Sequence, residues 1–203
     1  MEIRVYQGKN DANMYVVSNE NNYIVIDPCV SPEDNGVSKY IEGKNLEAIF
    51  ITHGHYDHFT EIKKWFNFNK TIYLHRNAVS KLQNPTLNGS AYFDVNLSVN
   101  IPIGLSKFVD DGDVISLLGT KIEVFKFDGH TDCGLAFQIE NKFFSGDFIF
   151  TNGNIGRCDL PTSNFIEMQK SLDRLKSFSS NLVIMPGHGE AFVLGHFWDL
   201  FIK

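Results

Sequence analysis

The sequence predicts an α/β fold of layered sheets with helices outside, formed by residues 1–203 as a single domain. Three observations predict it. Short runs of β-branched and aromatic residues alternate with segments of helical spacing along the chain. No internal repeat and no shift in composition marks a second domain. The apolar content of 43% and the charged content of 21% are ordinary for a chain of 203 residues with one sizeable core.

The first half of the chain alternates strands and helices. A helix is predicted from Ser31 to about Ile41, with Ser31 as its N-cap and Pro32 in its first turn. Two more helices are predicted at 59–67 and 76–83. Strands are predicted at 2–6, 13–18, 23–27, 46–51 and 71–74.

The second half begins with an irregular segment, residues 84–106, which is rich in proline and glycine. A connection of this length in a compact domain is usually functional or mobile. Apolar residues at helical spacing predict a helix at 164–176, and a short helix is predicted for residues 195–203. Strands are predicted at 114–117, 121–127, 135–139, 142–146 and 182–185.

Charge and composition argue against several classes of function. The net charge of −6 and the lack of a lysine or arginine cluster argue against a nucleic-acid partner. The first residues are typical of a strand rather than a signal peptide, and no apolar run reaches the roughly 18 residues that span a bilayer. Cys29, Cys133 and Cys158 form no CxxC pair, which favours a reducing compartment. The sequence therefore predicts a cytoplasmic protein with no membrane partner, and leaves its oligomeric state open.

The segment THGHYDH (52–58) places three histidines and an aspartate directly after the apolar strand 46–51. Alternate residues of an extended loop project to the same side, so His53, His55 and Asp57 can converge on one point. His58 then points elsewhere, which suits a second metal. Imidazole and carboxylate suit zinc, iron or manganese. As buried structural residues, all four would need separate hydrogen-bond partners, so the cluster predicts metal binding.

Three further residues have a shared placement. His130, Asp147 and His188 each lie at the C-terminal end of a predicted strand, beside a glycine that lets the backbone turn. This placement predicts that they complete the ligand set. His75 and His196 have no such surroundings, and we interpret both as structural.

These motifs resemble those of the metallo-β-lactamase superfamily: HxHxDH, a later histidine, a bridging aspartate and a last histidine, in this order. The resemblance covers nearly the whole chain. It implies a four-layer αβ/βα sandwich, the metallo-β-lactamase fold, with the metals between the edges of two sheets. It also implies one site formed by His53, His55 and His130 and a second formed by Asp57, His58 and His188, with Asp147 bridging both.

Within the superfamily, the segments 82–93, 146–161 and 186–195 resemble small bacterial glyoxalase II-like hydrolases, which cleave thioesters such as S-lactoylglutathione. The resemblance implies a small-molecule thioester of glutathione or of another thiol as substrate. It implies two divalent ions as cofactors, zinc first, with iron or manganese as alternatives. A hydroxide that bridges the metals would attack the thioester carbonyl. Asp57 is the predicted catalytic residue, because it can orient this nucleophile as well as bind metal.

Other residues are predicted to support the site or to contact substrate. Asp27, Arg157 and Asp159 lie close in sequence to strand ends or ligands and are candidates for contacts that hold the ligands in place. Cys133 and Cys158 lie near His130 and Asp147, and a thiolate ligand among them is a lesser alternative. Predicted substrate contacts come from the irregular segment: Asn88, Tyr92 and Phe93.

Several alternatives remain open from the sequence. A mononuclear iron persulfide dioxygenase of the same superfamily would use His53, His130 and Asp147 as a facial triad. A lactonase or β-lactamase would use the same metal motif, while an RNA-processing nuclease fits the acidic chain less well. From another class, the protein could be a catalytically idle metal-binding scaffold. Oxygen consumption with one iron favours the dioxygenase, and failure to hydrolyse any ester despite two bound metals favours the scaffold.

Overall fold

The structure is a computed structural model that describes residues 1–201. It contains two six-stranded sheets that pack face to face. The last two residues of the predicted C-terminal helix, 202 and 203, lie outside the described residues.

The first sheet is built from the N-terminal part of the chain, with its strands in sequence order. The first three strands are antiparallel, and the last four, β3 to β6, are parallel to one another. Its strands are β1 (Glu2–Gln7), β2 (Asn13–Ser18), β3 (Asn22–Ile26), β4 (Asn45–Phe50), β5 (Thr71–Leu74) and β6 (Ser106–Phe108).

The second sheet has the order β12-β11-β10-β9-β8-β7. Only its β10–β11 pair is parallel. Its strands are β7 (Val114–Leu117), β8 (Thr120–Lys126), β9 (Leu135–Ile139), β10 (Lys142–Gly146), β11 (Val183–Pro186) and β12 (Phe192–Val193).

Helices cover the outer face of each sheet. Strand β2 shows why: Met14 and Val16 pack in the cluster on the helix side, whereas Tyr15 and Val17 pack between the two sheets, so both faces of the strand are buried. The order of layers is therefore helix, sheet, sheet, helix. Covering the first sheet are α1 (Asn35–Ile41), α2 (Ile62–Trp65) and α3 (Ala78–Gln83), and covering the second are α4 (Phe165–Leu175) and α5 (Leu194–Phe201).

The predicted four-layer sandwich is confirmed, with local corrections to its elements. The N-cap of helix α1 is Asp34, three residues after the predicted Ser31, and its side chain accepts hydrogen bonds from Gly36 N and Val37 N. Ser31 instead closes a turn, in which its side chain accepts from Glu33 N at 3.1 Å. The predicted helix 59–67 is reduced to α2 and a following 3₁₀ turn. Strands β6 and β12 were not predicted.

The sheets place several strand ends at one edge of the sandwich. Parallel strands bring their carboxyl ends together, so the ends of β3 and β4 are neighbours, and so are those of β10 and β11. Across this edge, Asn13 N donates to Gly187 O at 2.7 Å and Leu135 N donates to Thr52 O at 2.8 Å. These bonds join the two sheets where the predicted ligands lie. No helix within residues 1–201 combines the length and apolar character that a bilayer crossing requires.

Candidate metal centre

The structure brings all seven predicted ligands together at this edge. Their ligand atoms form three overlapping groups, in each of which the atoms lie within 4.8 Å of one another. The outer two groups match the two sites that the resemblance implies. The groups are His53, His55 and His130; His53, His58 and Asp147; and Asp57, His58 and His188.

Asp147 lies between the two outer groups. Its Oδ2 is 3.6 Å from His130 Nε2 and 3.4 Å from His188 Nε2, and its Oδ1 is 3.3 Å from His58 Nε2. On the far side, Asp57 Oδ2 is 3.3 Å from His188 Nε2. One carboxylate thus reaches histidines of both groups, which is the placement expected of a bridging ligand.

The residues fit divalent metal ions. His53 Nε2, His58 Nε2 and Asp147 Oδ1 are buried and have no hydrogen-bond partner, whereas His55 turns its Nδ1 towards His130 Nε2, 2.8 Å away. Buried polar atoms are normally paired, because leaving one unpaired costs about 1–3 kcal/mol. Lone pairs of histidine and aspartate that face one point are the donors that zinc, iron and manganese accept.

Asp27 fixes the orientation of two of these histidines. Its carboxylate accepts hydrogen bonds from Thr52 N at 2.8 Å and from Thr52 Oγ1 at 2.7 Å, and it lies 3.0 Å from His58 Nδ1. Because the Thr52 hydroxyl donates its one proton to Asp27, it must accept from His53 Nδ1, which is 3.0 Å away. Both rings therefore hold a proton on Nδ1, which leaves Nε2 as the atom that faces the centre. The predicted contact of Asp27 with the ligands is present, and Thr52, which sequence reasoning missed, extends it.

Two further contacts shape the centre. His130 Nδ1 donates to the carbonyl of Arg157 at 2.9 Å, which leaves Nε2 as the ligand atom. A Cβ atom at Gly187 would overlap Asp147 Oδ1 and lie 2.7 Å from His58 Cε1. The glycine before His188 is therefore needed for the close approach of two ligands, rather than for a turn.

The charges divide the centre into two halves. Burial lowers the pKa of His53 well below its usual value, that of His55 to about 3, and that of His130. These rings are neutral, which is the form that binds a metal. Burial also disfavours a charge on His58, but the carboxylates of Asp147 and Asp57 outweigh it and raise the pKa of His58 well above its usual value.

Replacing Asp27 by asparagine is expected to weaken metal binding by about 10- to 100-fold. Asparagine is isosteric and tolerates the left-handed backbone of this position, whose φ is 55°. Its amide, however, has one acceptor oxygen, so it cannot replace both the carboxylate oxygen that accepts from Thr52 N and the one that faces the Thr52 hydroxyl and His58 Nδ1. The measurement is metal affinity by competition with a chelator. Asp173→Asn, which removes the same charge from the exposed face of α4, is the control. An affinity equal to that of the wild type would contradict the orienting role of Asp27.

A cavity of about 380 Å³ opens beside the centre and is bordered by five of the ligands. The predicted substrate contacts Tyr92 and Phe93 line it, with exposed fractions of 59% and 64%. Asn88 also borders it, but its side chain is buried and bonded to the backbone of Lys81, Leu97 and Ser90. Its substrate contact stays a prediction.

Arg157 and Asp159 pair as the sequence suggested, but at the mouth of the cavity, where both side chains are more than half exposed. Only the Arg157 carbonyl contacts a ligand, at His130. Sequence reasoning missed Asn10, Tyr56 and Leu160, which also line the cavity. A tyrosine inside the ligand motif was the available indication for Tyr56.

The thiols and the remaining histidines lie outside the ligand groups of the described residues. All three cysteines are free. Burial raises the pKa of the Cys133 thiol, and Cys158 Sγ contacts the carbonyl of Gly156. His75 accepts from Asn77 N at 3.1 Å at the start of α3, which is a structural contact.

Residues 8–188 match the model of the metallo-beta-lactamase superfamily. The chain belongs to this superfamily. The match covers every predicted ligand, from His53 to His188. Superfamily members bind divalent metals, and the histidine and aspartate groups described above lie inside the matched region.

Named relatives in the superfamily include hydrolases. Hydroxyacylglutathione hydrolase 1 of Vibrio vulnificus is 27% identical over 88% of this chain, which spans only 62% of that relative. A probable metallo-hydrolase of Methanocaldococcus jannaschii is 30% identical, and the match covers 88% of both chains. Among solved structures, TTHA1623 in a di-iron-bound form superposes with a TM-score of 0.81 at 27% identity and 98% coverage of both chains.

Proposed function

We propose that the protein is a metal-dependent hydrolase that cleaves thioesters at a two-metal centre. The observation that carries the proposal is the convergence of seven histidine and aspartate side chains at one centre, five of which border a cavity that is open to small molecules. His53, His55 and His130 would hold one ion and Asp57, His58 and His188 the other, with Asp147 shared. The likeness to hydroxyacylglutathione hydrolases favours a thioester over other esters.

The proposed chemistry needs few groups besides the ions. Bound divalent ions would lower the pKa of water towards 7 and polarise a carbonyl oxygen. Asp57 borders the cavity. Burial raises the pKa of its carboxyl, but nearby His58 and His188 lower this pKa by more, so the carboxylate is ionised. We propose that Asp57 orients the attacking water and accepts its proton. A thiol of pKa about 8.5 leaves as thiolate, so no side-chain acid is required.

Metal removal and reloading tests this function. We expect a chelator to abolish thioester hydrolysis, and zinc, manganese or iron to restore it; iron belongs in the series because TTHA1623 was solved with two irons. The measurement is metal content by mass spectrometry together with rates on a panel of thioesters, lactones, a β-lactam and a persulfide. Thioester hydrolysis in none of the loaded forms would sink the proposal. In that case, oxygen consumption on the persulfide with one iron would identify a dioxygenase, and two ions with no turnover would identify a scaffold.

A further inference from the structure

The wall of the cavity beside the metal centre is aromatic. Tyr92 and Phe93 are more than half exposed, and the Phe93 ring lies 5.7 Å from the ring of buried Tyr56. Leu160 extends this surface. Large apolar side chains that stay exposed at the rim of a cleft are typical of a surface that a ligand covers. The wall therefore favours an apolar group on the substrate.

The charges around the cavity also favour an uncharged group on the substrate. Among the described residues that border the cavity, Arg157 is the one side chain that is always cationic. Asp159 already binds it in a bidentate pair: Nε to Oδ1 and Nη2 to Oδ2, both at 2.7 Å. This partner is two residues away, so its effective concentration far exceeds that of a dissolved substrate. A substrate carboxylate would have to displace Asp159 to reach Arg157.

We propose that the cavity takes thioesters of an uncharged thiol, and that Asp159 is the specificity-determining residue that excludes thiols with carboxylates, glutathione among them. The inference rests on the proposed function, because it names the substrate class of the same site. The ions bind at the reacting carbonyl, whereas the carboxylates of glutathione lie at the far ends of the tripeptide. They would meet the aromatic wall and an arginine that is already neutralised.

The test compares two thioesters with the same lactoyl group, one of N-acetylcysteamine, which is uncharged, and one of glutathione. We expect the metal-loaded wild type to favour the uncharged thioester by about tenfold in kcat/KM. Asp159→Asn should reduce this preference about fivefold, which is the size of one exposed ion pair. Asp173→Asn removes the same charge from an exposed pair with Lys176 on α4 and should leave the preference unchanged.

A binding measurement separates the two proposals. Calorimetry with the uncleavable thioethers S-butyl-N-acetylcysteamine and S-butylglutathione reports recognition without turnover. If neither thioester is cleaved but the uncharged thioether binds better, and Asp159→Asn narrows the difference, the thioesterase proposal fails and the specificity stands. If the wild type binds the glutathione compound as well as the uncharged one, or if Asp159→Asn leaves the difference unchanged, the specificity inference is overturned.

Discussion

Replacing Asp147 by alanine is expected to lower thioester hydrolysis roughly a thousandfold, because metal assistance contributes several kcal/mol to the transition state. Asp147 contacts ligands of both outer groups, with oxygens 3.3–3.6 Å from His58, His130 and His188. Its loss affects both halves of the centre. We therefore expect a metal content below that of the wild type for both ions, rather than the loss of one.

The melting temperature provides a second measurement of the same change. A ligand that binds only the folded chain stabilises it in proportion to the logarithm of its concentration over Kd, so added metal should raise the melting temperature of the wild type more than that of Asp147→Ala. Asp173→Ala is the control for loss of a carboxylate. By comparison, Asp57→Asn keeps an oxygen that can bind metal, so we expect it to lower kcat/KM by a larger factor than it lowers the metal content. For Asp147→Ala, full metal content together with a kcat/KM within tenfold of the wild type would contradict the bridging role of Asp147.

The metal centre was largely predictable because its chemistry is local in the sequence. Four ligands lie in 53–58, and the other three each follow a strand, so strand ends at one sheet edge bring them together. The contacts that orient them were less predictable. Thr52 acts through its hydroxyl, but nothing in the sequence distinguishes it from other polar residues that follow a strand. Arg157 contacts His130 through its carbonyl, which no side-chain pattern encodes.

The fold was predictable where burial imposes a pattern. Strand β2 is buried on both faces, its four central residues form a continuous apolar run, and its predicted bounds are those observed. Strand β6, with the sequence SKF, is exposed along its length at the edge of the sheet, so it has no alternation to detect. Lys81 was a similar case. In a predicted helix a lysine indicates a solvent-facing position. Lys81 is instead buried, and its ammonium group binds Asp132, which is 51 residues away in sequence.

Lys81 lies between two of the loops that carry the predicted metal ligands, the loop around Gly54 and the loop that follows His130. Its ammonium group binds Asp132 Oδ1 and donates to Asn77 O at 3.2 Å, and its side chain is only 2% exposed, against 48% for that of Asp132. A Cβ atom at Gly54, between His53 and His55, would lie 2.6 Å from Lys81 Cβ. The lysine stem therefore packs against one ligand loop while its charge binds the loop that follows His130.

Asp132→Asn is expected to destabilise the protein by about 2 kcal/mol, below the roughly 3–5 kcal/mol of a fully buried pair because Asp132 is half exposed. It leaves a buried ammonium without a counter-charge. Lys81→Met should cost less, since methionine fills much of the same space and water can solvate Asp132. For a chain of this size, 2 kcal/mol corresponds to a melting temperature about 4–8 °C lower. The double variant should resemble Lys81→Met, because asparagine then has no charge to leave unpaired. If Lys81→Met were the more destabilising variant, or if the two costs simply added, the pair would not be holding these loops together.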